Sequence, residues 1–240
     1  MYSGWELSAR RISEGGRSDW KRDPDVNEML EHLRKDYAVV YLESIRKVLT
    51  DAQVTAIAAR NDAYGGARVE NINGVVSSPS SIRYIAHSIE ICQQIQRKGL
   101  SDVKIVEVGG GYGGLAVILG EVAQIMGVSI SKYIIYDLPG VVRLQQYYLS
   151  QYTLPYPVVW KEASRFGADL ENEAGLFLVS NYCLSEISNT YRLLYLSNLI
   201  PKIAGGYFAW NWGSKEGLPA HADIQPEIPD TGKGNTIVRL

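Results

Sequence analysis

The chain has 240 residues, 46% of them hydrophobic and 21% charged, and a formal net charge of -2. That length holds one α/β domain with an accessory segment but not two full domains, and a core of this size needs neither disulfides nor a structural metal. Lys and Arg are spread along the chain, which excludes a partner held mainly by counterion release, so no nucleic acid is expected.

In chain order, Met1 to Arg22 carries charge without the apolar centre of a secretory signal. Asp25–Val48 reads as one helix, with Met29, Leu30, Leu33, Tyr37, Val40, Tyr41 and Ile45 on a single face. Asn61–Ser78 is rich in Gly, Asn and Ser and reads as an irregular loop. Ser78 and Pro79 then supply the N-cap and first turn of a helix whose apolar stripe runs from Ile82 to Ile95, and Gly99 stops it.

From Asp102 onward short β-branched runs alternate with helices. Strands are expected at Lys104–Val108, Tyr133–Tyr136, Val158–Trp160, Leu176–Val179, Tyr207–Trp210 and Thr236–Leu240. Helices are expected at Gly114–Met126, Gly140–Ser150 and Thr190–Ile200, the last capped by Asn189 and stopped by Pro201. This alternation predicts an α/β fold with a mostly parallel sheet and helices on both faces. Ligands of such sheets bind at the C-terminal ends of the strands. The six strands read are one short of a full seven-stranded sheet.

The strongest signal lies where the first of these strands meets its helix. Gly109, Gly110, Gly111, Gly113 and Gly114 fall within six positions, so the backbone can turn sharply and approach a ligand with no Cβ in the way. Gly109, Gly111 and Gly114 satisfy the dinucleotide fingerprint, which by itself is weak. Glu107 tilts the reading toward S-adenosylmethionine, because a carboxylate attracts a sulfonium and repels a pyrophosphate. Asp137 ends the next strand, where a carboxylate can accept hydrogen bonds from a ribose diol.

The run Val106 to Leu115, then Asp137-Leu138-Pro139, then Leu144 to Leu149, then Ser185-Glu186, resembles the sugar O-methyltransferase family over about Ser78 to Trp212. Members of that family occur in bacterial surface-polysaccharide loci, with similar domains in glycan-building proteins of large algal viruses. The resemblance implies a Rossmann-like class I methyltransferase fold: a helical segment over 1–100 that helps form the acceptor pocket, and a catalytic core over 101–240. It implies S-adenosylmethionine as cofactor, S-adenosylhomocysteine as product and a saccharide or glycan acceptor. Glu107, Gly109, Gly110, Gly111, Tyr112, Gly113, Asp137 and Leu138 carry over as the cofactor shell.

An acceptor hydroxyl titrates far above neutrality and needs a base to take its proton. Asn181, Tyr182 and Glu186 follow a buried strand at the expected rim, with Glu186 as base or as an N-terminal helix acid. Asn211 and Trp212 end the next strand and can hold an acceptor ring. Among the histidines, His221 is the candidate base in a loop and His87 a pocket or core residue, while His32 reads as a surface residue. Asp137, Glu186, His221 and Asp223 could converge on a cation, but no ligand spacing demands it, and no metal is expected. Cys92 and Cys183 lie far apart and read as small buried hydrophobes in a reducing compartment. No apolar run approaches the ~20 residues that span a bilayer, so a soluble cytoplasmic protein is expected. The excess of Tyr (16) over Phe (3) suits a pocket for polar rings. Rival readings are a nicotinamide-dependent oxidoreductase or epimerase of a nucleotide sugar, whose usual Tyr-x-x-x-Lys pair is missing, and a cofactor-binding module without catalysis.

Overall fold

A computed structural model describes residues 2–171 and 173–240 and divides into two compact units. One comprises Met1–Ile89, Gly111–Met126 and Pro139–Leu154; the other comprises Glu90–Gly110, Gly127–Leu138 and Pro155–Leu240.

The first unit begins with α1 (Tyr2–Gly15), α2 (Pro24–Met29), α3 (Lys35–Ile45) and α4 (Asp51–Asp62). The single helix read over 25–48 is thus two. Asp23 caps α2 by accepting from the Asp25 N–H, with Pro24 at the first position. The helix ends at Leu30, whose carbonyl is taken by Ser80 Oγ (3.3 Å) and Arg83 Nη2 (3.1 Å) in place of a further turn. Local periodicity continues through the break because tertiary partners, and no Gly or Pro, cause it. The stretch read as a loop from Asn61 also holds structure: its first two residues close α4, and β1 (Glu70–Ile72) pairs with β2 (Val75–Ser77) as a hairpin. Asn73 (φ 48) and Gly74 (φ 95) make the two-residue turn, both with positive φ, as the right-handed strand twist requires. Ser78 caps α5 (Pro79–Arg97) as read, its Oγ accepting from Ser81 N (3.2 Å).

Along the rest of the chain, β3 (Val103–Val108), β4 (Ile130–Asp137), β5 (Val158–Glu162), β6 (Leu176–Asn181), β7 (Gly205–Trp210), β8 (Asp223–Pro226) and β9 (Thr236–Arg239) alternate with helices. These helices are α6 (Gly114–Met126), α7 (Pro139–Leu149), α8 (Cys183–Glu186) and α9 (Asn189–Leu199). The strands belong to the second unit and, among the described residues, form one seven-stranded sheet in the order β5-β4-β3-β6-β7-β9-β8. The pairs from β5 to β7 are parallel, and β9 runs antiparallel to β7 and β8 on either side of it. The chain has the Rossmann-like α/β fold expected from its sequence. Its seventh strand, β8, was not legible: all four residues are exposed, and Asp-Ile-Gln-Pro at a sheet edge carries no alternation and ends on proline.

Val106, Val108, Ile134, Tyr136, Leu176, Leu178, Phe208, Trp210 and Val238 share one sheet face with Tyr195, Leu196 and Leu199 of α9. Each such aliphatic or aromatic side chain withdrawn from water contributes roughly 1.5–3 kcal/mol. The alternate residues Ile105, Ile135, Phe177, Val179 and Ala209 are buried as well, which is why the strands read as unbroken apolar runs. Helix α9 is capped one residue earlier than read: Ser188 Oγ accepts from Tyr191 N, and Asn189 is instead bonded to Arg192. Among the described residues no helix is long and apolar enough to cross a membrane.

Candidate active site at the strand-order switch point

From β3 the chain builds outward through β4 and β5, then returns to the other side of β3 with β6. The C-terminal ends of β3 and β6 therefore flank the point where the strand order reverses, the usual binding crevice of an open parallel sheet. Gly109 follows β3 with φ 79, and its N–H donates to Tyr136 O at 3.0 Å. A Cβ at this position would sit 2.3 Å from Cys183 Cβ and 2.4 Å from its Sγ, so only glycine lets the loop pass the start of α8. Ser180 ties the same two elements: its Oγ donates to Val108 O (2.9 Å) and accepts from Leu184 N (3.1 Å).

Asp137, at the end of β4 and 9% exposed, clamps the bend. One carboxylate oxygen accepts from Gly110 N (2.9 Å) and the other from Leu138 N (2.8 Å). Glu107 takes a different place from the one its sequence position suggested. It is 2% exposed, accepts from Tyr133 Oη at 2.9 Å, and burial pushes its carboxyl up to about 8. At neutral pH it is mostly a protonated hydrogen-bonding group, so the formal negative charge beside the bend belongs to other residues.

Asn181 ends β6, level with Ala209 of β7. Both polar atoms of its carboxamide are buried and meet no hydrogen-bond partner among the described residues. Buried amides are nearly always paired, and an orphan one at a sheet's C-terminal edge is a ready ligand contact. Tyr182 follows in the left-handed region (φ 68, ψ -28), a conformation that costs a non-glycine residue of order 1–3 kcal/mol and gathers at functional sites. Its hydroxyl donates to Glu227 Oε1 at 2.5 Å. Glu227, 2% exposed in the β8–β9 loop, also accepts from Thr231 Oγ1 (2.7 Å) and Asn235 Nδ2 (3.0 Å) through Oε2. Sequence reading missed Glu227, because a carboxylate among turn formers looks like any solvated loop acid.

The structure brings Glu186 and Asn211 together, Asn211 Nδ2 donating to Glu186 Oε1 at 2.6 Å. Ser185 Oγ fixes this pairing by accepting from Asn211 N (3.0 Å) and donating to Tyr182 O (2.6 Å). Glu186 is exposed, and Trp212 follows Asn211 with 79% of its surface open. Cys183 beside them keeps its proton, since burial and then the neighbouring Asp137, Glu186 and Glu107 push its thiol up.

Other sequence candidates are not gathered at this rim. Asp223 opens β8 level, through Arg239, with Tyr207 of β7, whereas the C-terminal end Trp210 lies level with Pro226. His221, exposed and two residues before β8, therefore lies toward the opposite ends of the strands, and so does Asp223. The convergence of Asp137, Glu186, His221 and Asp223 on a cation does not occur. Among the described residues no three His, Cys, Asp or Glu side chains are grouped to hold one. In the first unit, His87 is 2% exposed with its ring edge-on to Tyr41. Gly111 and Tyr112 also belong to that unit. Gly111 O accepts from Gln145 Nε2 (3.0 Å), and Tyr112 is fully buried, its hydroxyl donating to Glu31 Oε1 (2.7 Å). The Tyr112 ring lies 4.7 Å from Lys21 Nζ, a buried ammonium whose pKa burial pushes down.

No protein-family model matches the chain, and no curated protein does. Solved structures resemble it at low identity. A candidate sarcosine dimethylglycine methyltransferase from Galdieria sulphuraria is 17% identical, with a TM-score of 0.43, over 55% of this chain and 48% of that one. Magnesium protoporphyrin IX methyltransferase from Synechocystis PCC 6803, with bound SAM, is 11% identical (TM-score 0.45; 65% and 78% covered). A SAM-dependent methyltransferase from Aquifex aeolicus is 15% identical (TM-score 0.43; 62% and 88% covered). The chain spans about half the length of the Galdieria protein.

Proposed function

We propose that the chain binds S-adenosylmethionine at the switch point and methylates a hydroxyl group, with a sugar, such as the deoxysugar rhamnose in a glycan, as the acceptor. The observation that carries this reading is the Gly109–Gly110 bend clamped to Asp137, one strand away from the orphan carboxamide of Asn181. A bare backbone, a carboxylate and an amide with both donors and acceptors form a set suited to a nucleoside carrying an amino-acid end. In that reading Asp137 and Leu138 hold the ribose, and Gly109 and Gly110 border the amino-acid end. Bound there, the cofactor supplies a methyl group already activated on a sulfonium.

The chain's own residues then bind, orient and take a proton. Asn211 directs the Glu186 carboxylate by donating to Oε1, and in this reading that carboxylate receives the proton of an acceptor hydroxyl. The open indole of Trp212 offers a face to a sugar ring, and Tyr182, set by Glu227, borders the same edge. Orientation alone can supply roughly 7–11 kcal/mol in such a displacement.

The test is label transfer from S-adenosylmethionine to a panel of deoxysugar glycans, read by mass gain, with calorimetry for the cofactor. Sulfonium uptake without transfer to any saccharide would remove the sugar acceptor and keep the cofactor assignment; uptake of NADH alone would remove both. Asp137→Ala is expected to weaken cofactor binding roughly tenfold or more, since charge-assisted hydrogen bonds are lost. Glu186→Gln is expected to spare cofactor affinity and slow turnover roughly 10²–10⁴-fold. The reverse pattern would exchange the two roles.

A further inference from the structure

One face of the sheet holds a polar cluster that the site above does not use. Arg192, in α9, is 4% exposed, and its guanidinium carbon lies 5.7 Å from the centre of the Trp210 ring. One Nη2 hydrogen is given to Asn189 Oδ1, but the Nε–H is buried and meets no acceptor among the described residues. No carboxylate among them lies within ion-pairing distance of Arg192 either. Trp210, 0% exposed at the end of β7, likewise buries its Nε1–H without an acceptor. Thr236 pairs directly with Trp210 across β7 and β9, so the two side chains share a face, about 4.5–5.5 Å apart at Cβ. Its Oγ1 is the third buried polar atom there with no partner.

Three polar groups left over on neighbouring elements are not independent accidents. A buried guanidinium with no counter-charge is costly, and a buried indole N–H nearly always finds an acceptor. Water could accept from these donors but would leave the charge uncompensated. An oxyanion meets all three hydrogens and the charge together. We infer that Arg192, Trp210 and Thr236 form a buried subsite for an oxyanion, a carboxylate or phosphate group carried by the acceptor. Trp210 directly precedes Asn211, which holds Glu186, so such a group would anchor the acceptor beside the proposed base. That last link rests on the methyl-transfer reading; the anion subsite does not.

The experiment is calorimetry of the full chain with inorganic phosphate and, separately, with acetate, against chloride at matched ionic strength. One of the two anions is expected to bind saturably. Phosphate would point to a phosphorylated acceptor and acetate to a uronic-acid type. Thr236→Val is nearly isosteric and Trp210→Phe keeps an aromatic ring without the N–H, and each should weaken that binding severalfold; Arg192→Met should weaken it roughly tenfold or more. Absence of saturable binding by both anions, or binding unchanged in all three variants, would overturn the subsite. Binding that survives when no sulfonium compound binds would keep the subsite and cancel only its link to methyl transfer.

Discussion

Gly109→Ala is expected to destabilise the chain by roughly 2–6 kcal/mol and to abolish ligand binding at the bend. Two costs add. An L-residue held at φ 79 is strained by about 1–3 kcal/mol. The new methyl would also sit 2.3 Å from Cys183 Cβ, an atom fixed by its own backbone, so no rotamer change relieves the overlap, and overpacking of this kind costs about 1–3 kcal/mol. Cys183→Ala removes only the sulfur and should not rescue the variant. Cys183→Gly combined with Gly109→Ala should recover the steric part and leave the backbone part. Urea denaturation of the four proteins measures both. A Gly109→Ala chain within about 0.5 kcal/mol of the parent, the range of ordinary surface changes, would mean that the loop does not pass α8 as described.

The second large effect concerns pH. The Glu107 carboxyl rises from an ordinary 4.5 to about 8 through burial, so its folded form holds its proton more tightly than the unfolded chain does. The stability that follows is complete below about 4.5 and is lost as pH climbs through 8. By pH 9 the loss should be on the order of a few kcal/mol. Glu107→Gln can still accept from Tyr133 Oη and has no charge to bury, so its stability should stay flat over that range and exceed the parent's above pH 8. Thermal unfolding against pH distinguishes the two curves. The same variant tests the electrostatic reading of the sequence: a carboxyl that is mostly protonated at pH 7 attracts a sulfonium only weakly, so affinity there should change little. A tenfold loss would show that Glu107 is ionised in the folded chain.

Much of the core was legible because its signals are local. Strands buried on both faces read as runs of mostly apolar residues, and the glycine cluster marked the turn after β3 with no help from the rest of the chain. Asn181, Glu186 and Asn211 could be placed together because parallel topology sends the ends of β6 and β7 to one rim. The misses came where distant partners decide. The break after Met29 is set by Ser80 and Arg83 and leaves the helical period intact. His221 read as a loop residue because β8 carries no strand signal, and with β8 in place the histidine lies toward the other end of the strands. The Asn73-Gly74 hairpin carried a readable signal, two residues that tolerate positive φ between short β-branched runs, but it was absorbed into a generic loop.

The Tyr182–Glu227 bond, spanning 45 residues, also bears on the order in which the protein is made. A ribosome delivers Tyr182 long before Glu227, Thr231 and Asn235 emerge to hold its hydroxyl. Until then nothing in that trio opposes relaxation of Tyr182 out of its strained conformation, and contacts of such long sequence separation form slowly. The nascent chain can pair β3, β4 and β6 before the Tyr182 hydroxyl meets its acceptor in the β8–β9 loop.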